Sequence, residues 1–138
     1  MNDNVGKKSK KKIKGLTDKF KSFFAQEYFR SSIAVWLIIL SLIVNAITWI
    51  LLKIFIKPVD FPIILHYNVY FGVDMTGDYV NVFILPSIGL ALLLVNFSLS
   101  IYFYQHKERI ASYLLMIASL MIQLSLFVAS LSVIIINY

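Results

Sequence analysis

Four residues with the chemistry to act, His66, Asn68, Asp74 and Asp78, lie in the stretch IILHYNVYFGVDMTGDY, Ile63 to Tyr79. An imidazole beside carboxylates can bind a metal or move a proton near neutral pH. A metal site, however, normally gathers three or four convergent ligands. The second histidine, His106, sits in a different connection, and the chain has no cysteine. Thiolate metal sites, cysteine nucleophiles and disulfides are therefore excluded. No phosphate loop, nucleophile motif or paired carboxylate at mid-membrane depth occurs, so neither enzyme activity nor a cofactor is expected. The reading for this stretch is a His-Tyr-Asn set hydrogen-bonded to the helix ends, with His66, Tyr67, Asn68, Tyr70, Gly72 and Asp74 as candidate recognition residues.

The elements around that stretch must be greasy. Of 138 residues, 59% are hydrophobic and 14% charged, with a mean hydropathy of +0.80; soluble domains average nearer a quarter charged. Three apolar runs, Ile33 to Ile56, Val82 to Tyr104 and Ile110 to Ile136, each exceed the roughly 20 residues a helix needs to cross hydrocarbon. The expected fold is an all-α membrane protein of three transmembrane helices over 33–56, 82–104 and 110–136. The first run is too long for a cleaved signal peptide and reads as a retained anchor. A loop over 57–81 joins the first two helices, and a turn over 105–109 joins the last two.

Charge sets the expected direction. Nine of the thirteen lysines and arginines fall in the first thirty residues, and QHKER holds Lys107 and Arg109. The 57–81 loop has Lys57 against Asp60, Asp74 and Asp78. Positive residues stay inside, so the N-terminus and QHKER are expected in the cytoplasm, with the loop and Tyr138 outside, in a multi-pass cell-membrane protein. The basic arm, residues 1–31, adjoins a membrane span and points to anionic headgroups rather than nucleic acid. Within it Ile13, Leu16, Phe20, Phe23, Phe24 and Tyr28 recur at helical spacing, flanked by lysines. An amphipathic interfacial helix over about 12–30 follows, with Lys12, Lys14, Lys19, Phe20, Lys21 and Phe24 at the membrane surface.

Ionisable groups are absent from mid-depth in all three runs, which argues against an autonomous pump or channel. Uncharged polar residues instead form stripes: Ser41, Asn45 and Thr48 on the first helix; Gly89, Asn96 and Ser100 on the second; Ser112, Ser119, Gln123 and Ser130 on the third. Small and amide residues serve helix contacts in lipid. Two uses are open. The stripes can pack the three helices on one another, or the third, the longest, is left over to grip another subunit.

In the loop, Leu65, Tyr67, Val69, Phe71 and Val73 alternate with more polar neighbours, predicting one half-buried extended strand over 65–73. Asp78 or Asn81 is expected to cap the second helix. A lone strand leaves backbone groups unpaired, so it must lie in the headgroup zone, fold on the helix ends, or add to a partner's sheet.

FPIILHYNVYFGVDMTGDY followed by VFILPSIGLALLLV resembles the segment between the first and second helices of SdpI-like bacterial immunity proteins. Pro62, His66, Tyr67, Asn68, Gly72, Asp74 and Pro86 carry the resemblance, which covers about half the chain, roughly residues 33–104. The Pro62–His66 and Asn68–Gly72 spacings are longer than in that pattern. The resemblance implies a bacterial membrane protein with this loop outside the cytoplasmic membrane and a role in immunity to, or sensing of, an envelope-acting peptide. Taken with the residues, the expectation is a small membrane interaction or accessory protein whose partner is another membrane protein or itself. A homo-oligomeric transport element is the alternative from a different class.

Overall fold

A computed structural model describes residues 27–138. The interfacial helix and its surface residues Lys12, Lys14, Lys19, Phe20, Lys21 and Phe24 lie outside the described residues, except for the final stretch from Glu27. That stretch is a single helical turn, α1 (Glu27–Arg30). It is followed by α2 (Ser32–Phe55), β1 (Ile63–Asn68), β2 (Gly72–Gly77), a 3₁₀ helix (Tyr79–Phe83), α3 (Ile84–Gln105) and α4 (Arg109–Asn137).

Three helices are long and apolar enough to cross a membrane: Ser32–Phe55, Tyr79–Gln105 and Arg109–Asn137. They fit a multi-pass membrane protein. Their outward faces are large apolar side chains, such as Trp36, Ile43, Ile50, Leu94, Leu114, Met121 and Val128, all exposed. Exposure on this scale suits a lipid solvent, because water would make it an aggregation surface.

The interior is inverted relative to a soluble bundle. Buried between the helices are Ser41, Asn45, Thr48, Ser100, Ser112, Ser119, Gln123 and Ser130. In hydrocarbon no hydrophobic force separates core from surface, so small side chains that let backbones approach, and amides that bond across, take the contacts. Ser41, Thr48 and Ser130 donate to the carbonyls of Leu37, Val44 and Leu126 in their own helices at 2.8–2.9 Å. Their polarity is thereby neutralised while their small size remains.

Helix α4 is the hub. It packs extensively against both α2 and α3, which touch each other far less. One polar stripe on α4 thus serves two neighbours within the chain. Ser112, Ser119, Gln123 and Ser130 are all at most 2% exposed inside the chain's own bundle.

The loop also departs from expectation. The alternating stretch is an antiparallel hairpin that turns back on itself at Val69-Tyr70-Phe71, so its backbone groups pair internally. Ile64 pairs with Thr76, His66 with Met75 and Tyr67 with Val73, which leaves Leu65 as an extra residue on β1 and Asp74 as one on β2. Two such bulges increase local twist and re-aim the side chains beside them. The expected side-chain caps do not form. Asp78 occupies the position before the 3₁₀ helix without a side-chain bond, and only its carbonyl takes the Asn81 N–H, at 2.9 Å.

At the hairpin end a small apolar core joins Leu52, Ile56, Ile63, Val82, Val133 and Ile134. It seats the root of β1 on the ends of the helices.

Candidate functional site

Three polar clusters lie along the bundle, and each was visible in sequence only as separate residues.

The central one is an amide lock. Asn45 on α2 donates through Nδ2 to the Pro86 carbonyl at 2.9 Å and to Gln123 Oε1 at 3.0 Å. Gln123 on α4 donates through Nε2 to the Gly89 carbonyl at 2.7 Å. All three helices are thus tied at one level. Gly89 is required there. A Cβ at that position would sit 2.7 Å from Gln123 Oε1, 3.0 Å from Leu126 Cδ1 and 3.2 Å from Asn45 Nδ2. Asn96, placed by sequence on the same stripe as Gly89, is half-buried, and its side chain joins no hydrogen bond among the described residues.

Toward the end of the bundle away from the hairpin, hydroxyls form a chain. Tyr28 Oη lies 2.9 Å from Ser100 Oγ, which lies 2.8 Å from Ser112 Oγ and donates to the Ser112 carbonyl at 3.0 Å. Ser31 Oγ lies 2.9 Å from Tyr113 Oη. Tyr28 is buried and makes edge contacts with Phe29, Phe97 and Tyr104. Sequence spacing had put it on a lipid-facing stripe of the arm; it enters the bundle instead. Burial is the main cause raising its phenol above the ordinary 10.0, with the Ser100 hydrogen bond opposing and the nearby Tyr113 adding to the rise. No carboxylate or imidazole is hydrogen-bonded into this row of hydroxyls among the described residues. Its role is to dock α1 on the helix ends. Between this chain and the amide lock, Ser119 Oγ is buried without a hydrogen-bond partner among the described residues.

The third cluster holds the hairpin, and sequence reasoning missed its key residue. Asn137, the last residue of α4, accepts the Ile64 N–H through Oδ1 at 2.9 Å and donates through Nδ2 to the Ile64 carbonyl at 2.7 Å. One side-chain amide therefore satisfies both outward groups of a β1 residue, as a neighbouring strand would. The same Nδ2 lies 2.8 Å from the Val133 carbonyl, fixing the amide to its own helix. The available signal was an asparagine ending a run of isoleucines, VIIIN.

Within the hairpin the side chains of His66 and Asn68 bond to other hairpin residues and not, as expected, to the helix ends. His66 Nδ1 and Asp74 Oδ1 meet across the strands at 2.7 Å, both side chains well exposed. An exposed pair of this kind contributes at most about 1 kcal/mol. No third His, Cys, Asp or Glu joins them among the described residues. Asn68 Oδ1 accepts the Tyr70 N–H at 2.9 Å, an Asx turn that starts the reversal. Gly72, at φ +80°, completes it in the left-handed region that glycine occupies without strain. Tyr67 pairs with Val73 and Tyr70 stands at the tip. Gly77 is a close approach, where a Cβ would meet Leu65 Cδ1 at 2.7 Å and Asn81 Nδ2 at 2.8 Å.

The arrangement supplies a braced, ordered projection on a bundle with its polar groups turned inward. It offers shape and one exposed His–Asp pair for binding. No protein-family model matches this chain, and neither does any curated protein or solved structure.

Proposed function

We propose that the chain is a small integral membrane interaction protein, an accessory subunit that presents its hairpin to another membrane component. The observation that carries this reading is the mooring of the hairpin. Asn137 and the Ile63 core fix its root, while His66, Asp74 and the tip stand free of the bundle. Ordering a loop beforehand lowers the entropy cost of binding, which suits a recognition element.

The asymmetry of lysine and arginine supports an N-terminus in the cytoplasm and a hairpin outside, with the basic arm against anionic headgroups. The resemblance of the Pro62-to-Pro86 stretch to SdpI-like proteins supports a bacterial cell-membrane setting and, as a narrower form of this reading, immunity to or sensing of an envelope-active peptide. A homo-oligomeric pore is less well supported, because the polar stripe it would need is spent within one chain.

The test is the mass and composition of the intact complex extracted from host membranes in mild detergent. The proposal expects a defined second component that is lost in His66→Ala/Asp74→Ala while the bundle stays folded. A monomer or a pure homo-oligomer that this variant leaves unchanged rejects it.

A further inference from the structure

The hairpin has a direction, and that direction bears on what its tip touches. Ile63 packs beside Leu52 and Ile56 at the end of α2. One residue on, Ile64 is held by Asn137 at the end of α4. Leu65 and Met75 then line an apolar recess of about 250 Å³ with Val82, Ile84, Leu85 and Val133, at the start of α3. The strands thus cross the mouth of the bundle from one helix end to another instead of rising away along its axis. Beyond Leu65 and Met75, no hydrogen bond joins the strands to a helix among the described residues. At roughly 3.3 Å per residue, the segment to Tyr70 extends on the order of 15 Å past this seat. In a membrane, what surrounds the rim is lipid.

The tip has the matching chemistry. Val69, Tyr70 and Phe71 are 84%, 91% and 85% exposed and uncharged. The imidazole and carboxylate of the hairpin, His66 and Asp74, are set back from the turn and paired with each other. The same end of the bundle exposes Phe55, Phe61 and Tyr138, and aromatic rings favour the boundary between headgroups and acyl chains. The tip continues that girdle and the apolar underside already seated on the helices through Leu65 and Met75.

We infer that Val69-Tyr70-Phe71 is a membrane wedge, seated in the lipid interface beside the bundle on the hairpin side. The wedge holds the hairpin flat against the membrane and leaves the His66–Asp74 pair to face a partner. The inference needs only a bundle in a bilayer and stands whether or not a second protein is found.

The absence of cysteine makes the test direct. Single variants Phe71→Cys and Tyr70→Cys, both at exposed sites, are nitroxide-labelled and reconstituted in phosphatidylcholine–phosphatidylglycerol vesicles, with helicity checked by circular dichroism. Collision with oxygen, which partitions into lipid, is compared with collision with a water-soluble nickel chelate. Leu94→Cys on the lipid face of α3 and Glu108→Cys in the interhelical turn set the two limits. The wedge expects an oxygen-to-nickel ratio at the tip several-fold above the Glu108 label and approaching the Leu94 label. A ratio equal to that at Glu108 overturns it. So does a tip label open to nickel in pure lipid that becomes shielded from both reagents only in host membranes, since a protein would then be covering the tip.

Discussion

Replacing Gly89 with alanine tests the amide lock most sharply. The added Cβ would lie 2.7 Å from Gln123 Oε1, so that oxygen must retreat by about 0.7 Å to regain an ordinary 3.4 Å contact. The Gln123 Nε2–Gly89 bond, already at 2.7 Å, and the Asn45–Gln123 bond at 3.0 Å depend on the same amide plane. Moving it forfeits at least one of them. Hydrogen bonds between membrane helices contribute about 0.6 kcal/mol on average and at most about 1.7, and overpacking a tight contact costs about 1–3 kcal/mol. Gly89→Ala should therefore destabilise the bundle by about 2 kcal/mol. Gln123→Ala should cost about 2–3 kcal/mol, from two lost bonds and the space left behind. Combined, the two should cost less than their sum by about 1 kcal/mol, because the oxygen that the Cβ strikes is gone. Only the Leu126 and Asn45 contacts, at 3.0 and 3.2 Å, would remain. Unfolding followed by circular dichroism against the mole fraction of dodecyl sulfate in mixed micelles measures all three. Additivity within about 0.4 kcal/mol would refute the geometry, since residues out of contact behave that way.

The hairpin's mooring should fail locally. Asn137→Ala removes both bonds to Ile64 and should raise amide hydrogen exchange in 63–77 at least about tenfold, equivalent to about 1.4 kcal/mol, while the helix midpoints exchange as before; unchanged hairpin exchange would remove Asn137 from this role. Gly72→Ala meets open space, with nothing within 4 Å of the new Cβ, but retains φ +80°; a loss of about 1–2 kcal/mol from backbone strain alone is expected in hairpin stability, read from the cross-strand nuclear Overhauser contacts of Tyr67 and Val73. The Tyr28 phenol is raised by burial, so the folded state holds its proton more tightly than the unfolded chain. Its contribution is fully present below pH 10.0 and is lost as pH rises through the higher folded value. Stability of the wild type should fall across that window more steeply than that of Tyr28→Phe, and parallel curves would contradict the burial of α1.

What could be read from sequence followed from period and composition. The 3.6-residue repeat fixes which residues of a helix share a side whatever lies opposite, so Ser41, Asn45 and Thr48, or Ser112, Ser119, Gln123 and Ser130, emerge as stripes without a structure. Period says nothing of how many neighbours a stripe meets. The α4 stripe looked too long for one seam because α4 fills the groove between two helices, with Gln123 reaching Asn45 on one and Gly89 on the other. The acceptors were invisible for a different reason. The Pro86 and Gly89 carbonyls belong to the backbone, and only the lack of a Cβ at Gly89 hinted that something approaches there.

The hairpin was hidden by its own turn. Reversals usually announce themselves through glycine, proline, asparagine or aspartate, but Val69-Tyr70-Phe71 continues the alternation of the strands and carries the reading straight through the bend. The turn chemistry flanks those three residues instead: Asn68 opens the reversal with its side chain and Gly72 closes it at positive φ. A reversal that could be made from polar residues is here made from three large apolar ones, at 84–91% exposure. The turn geometry does not require that choice, since only positions 68 and 72 have conformational demands. An uncharged Val-Tyr-Phe apex beside a bundle rim matches the membrane interface better than it matches water.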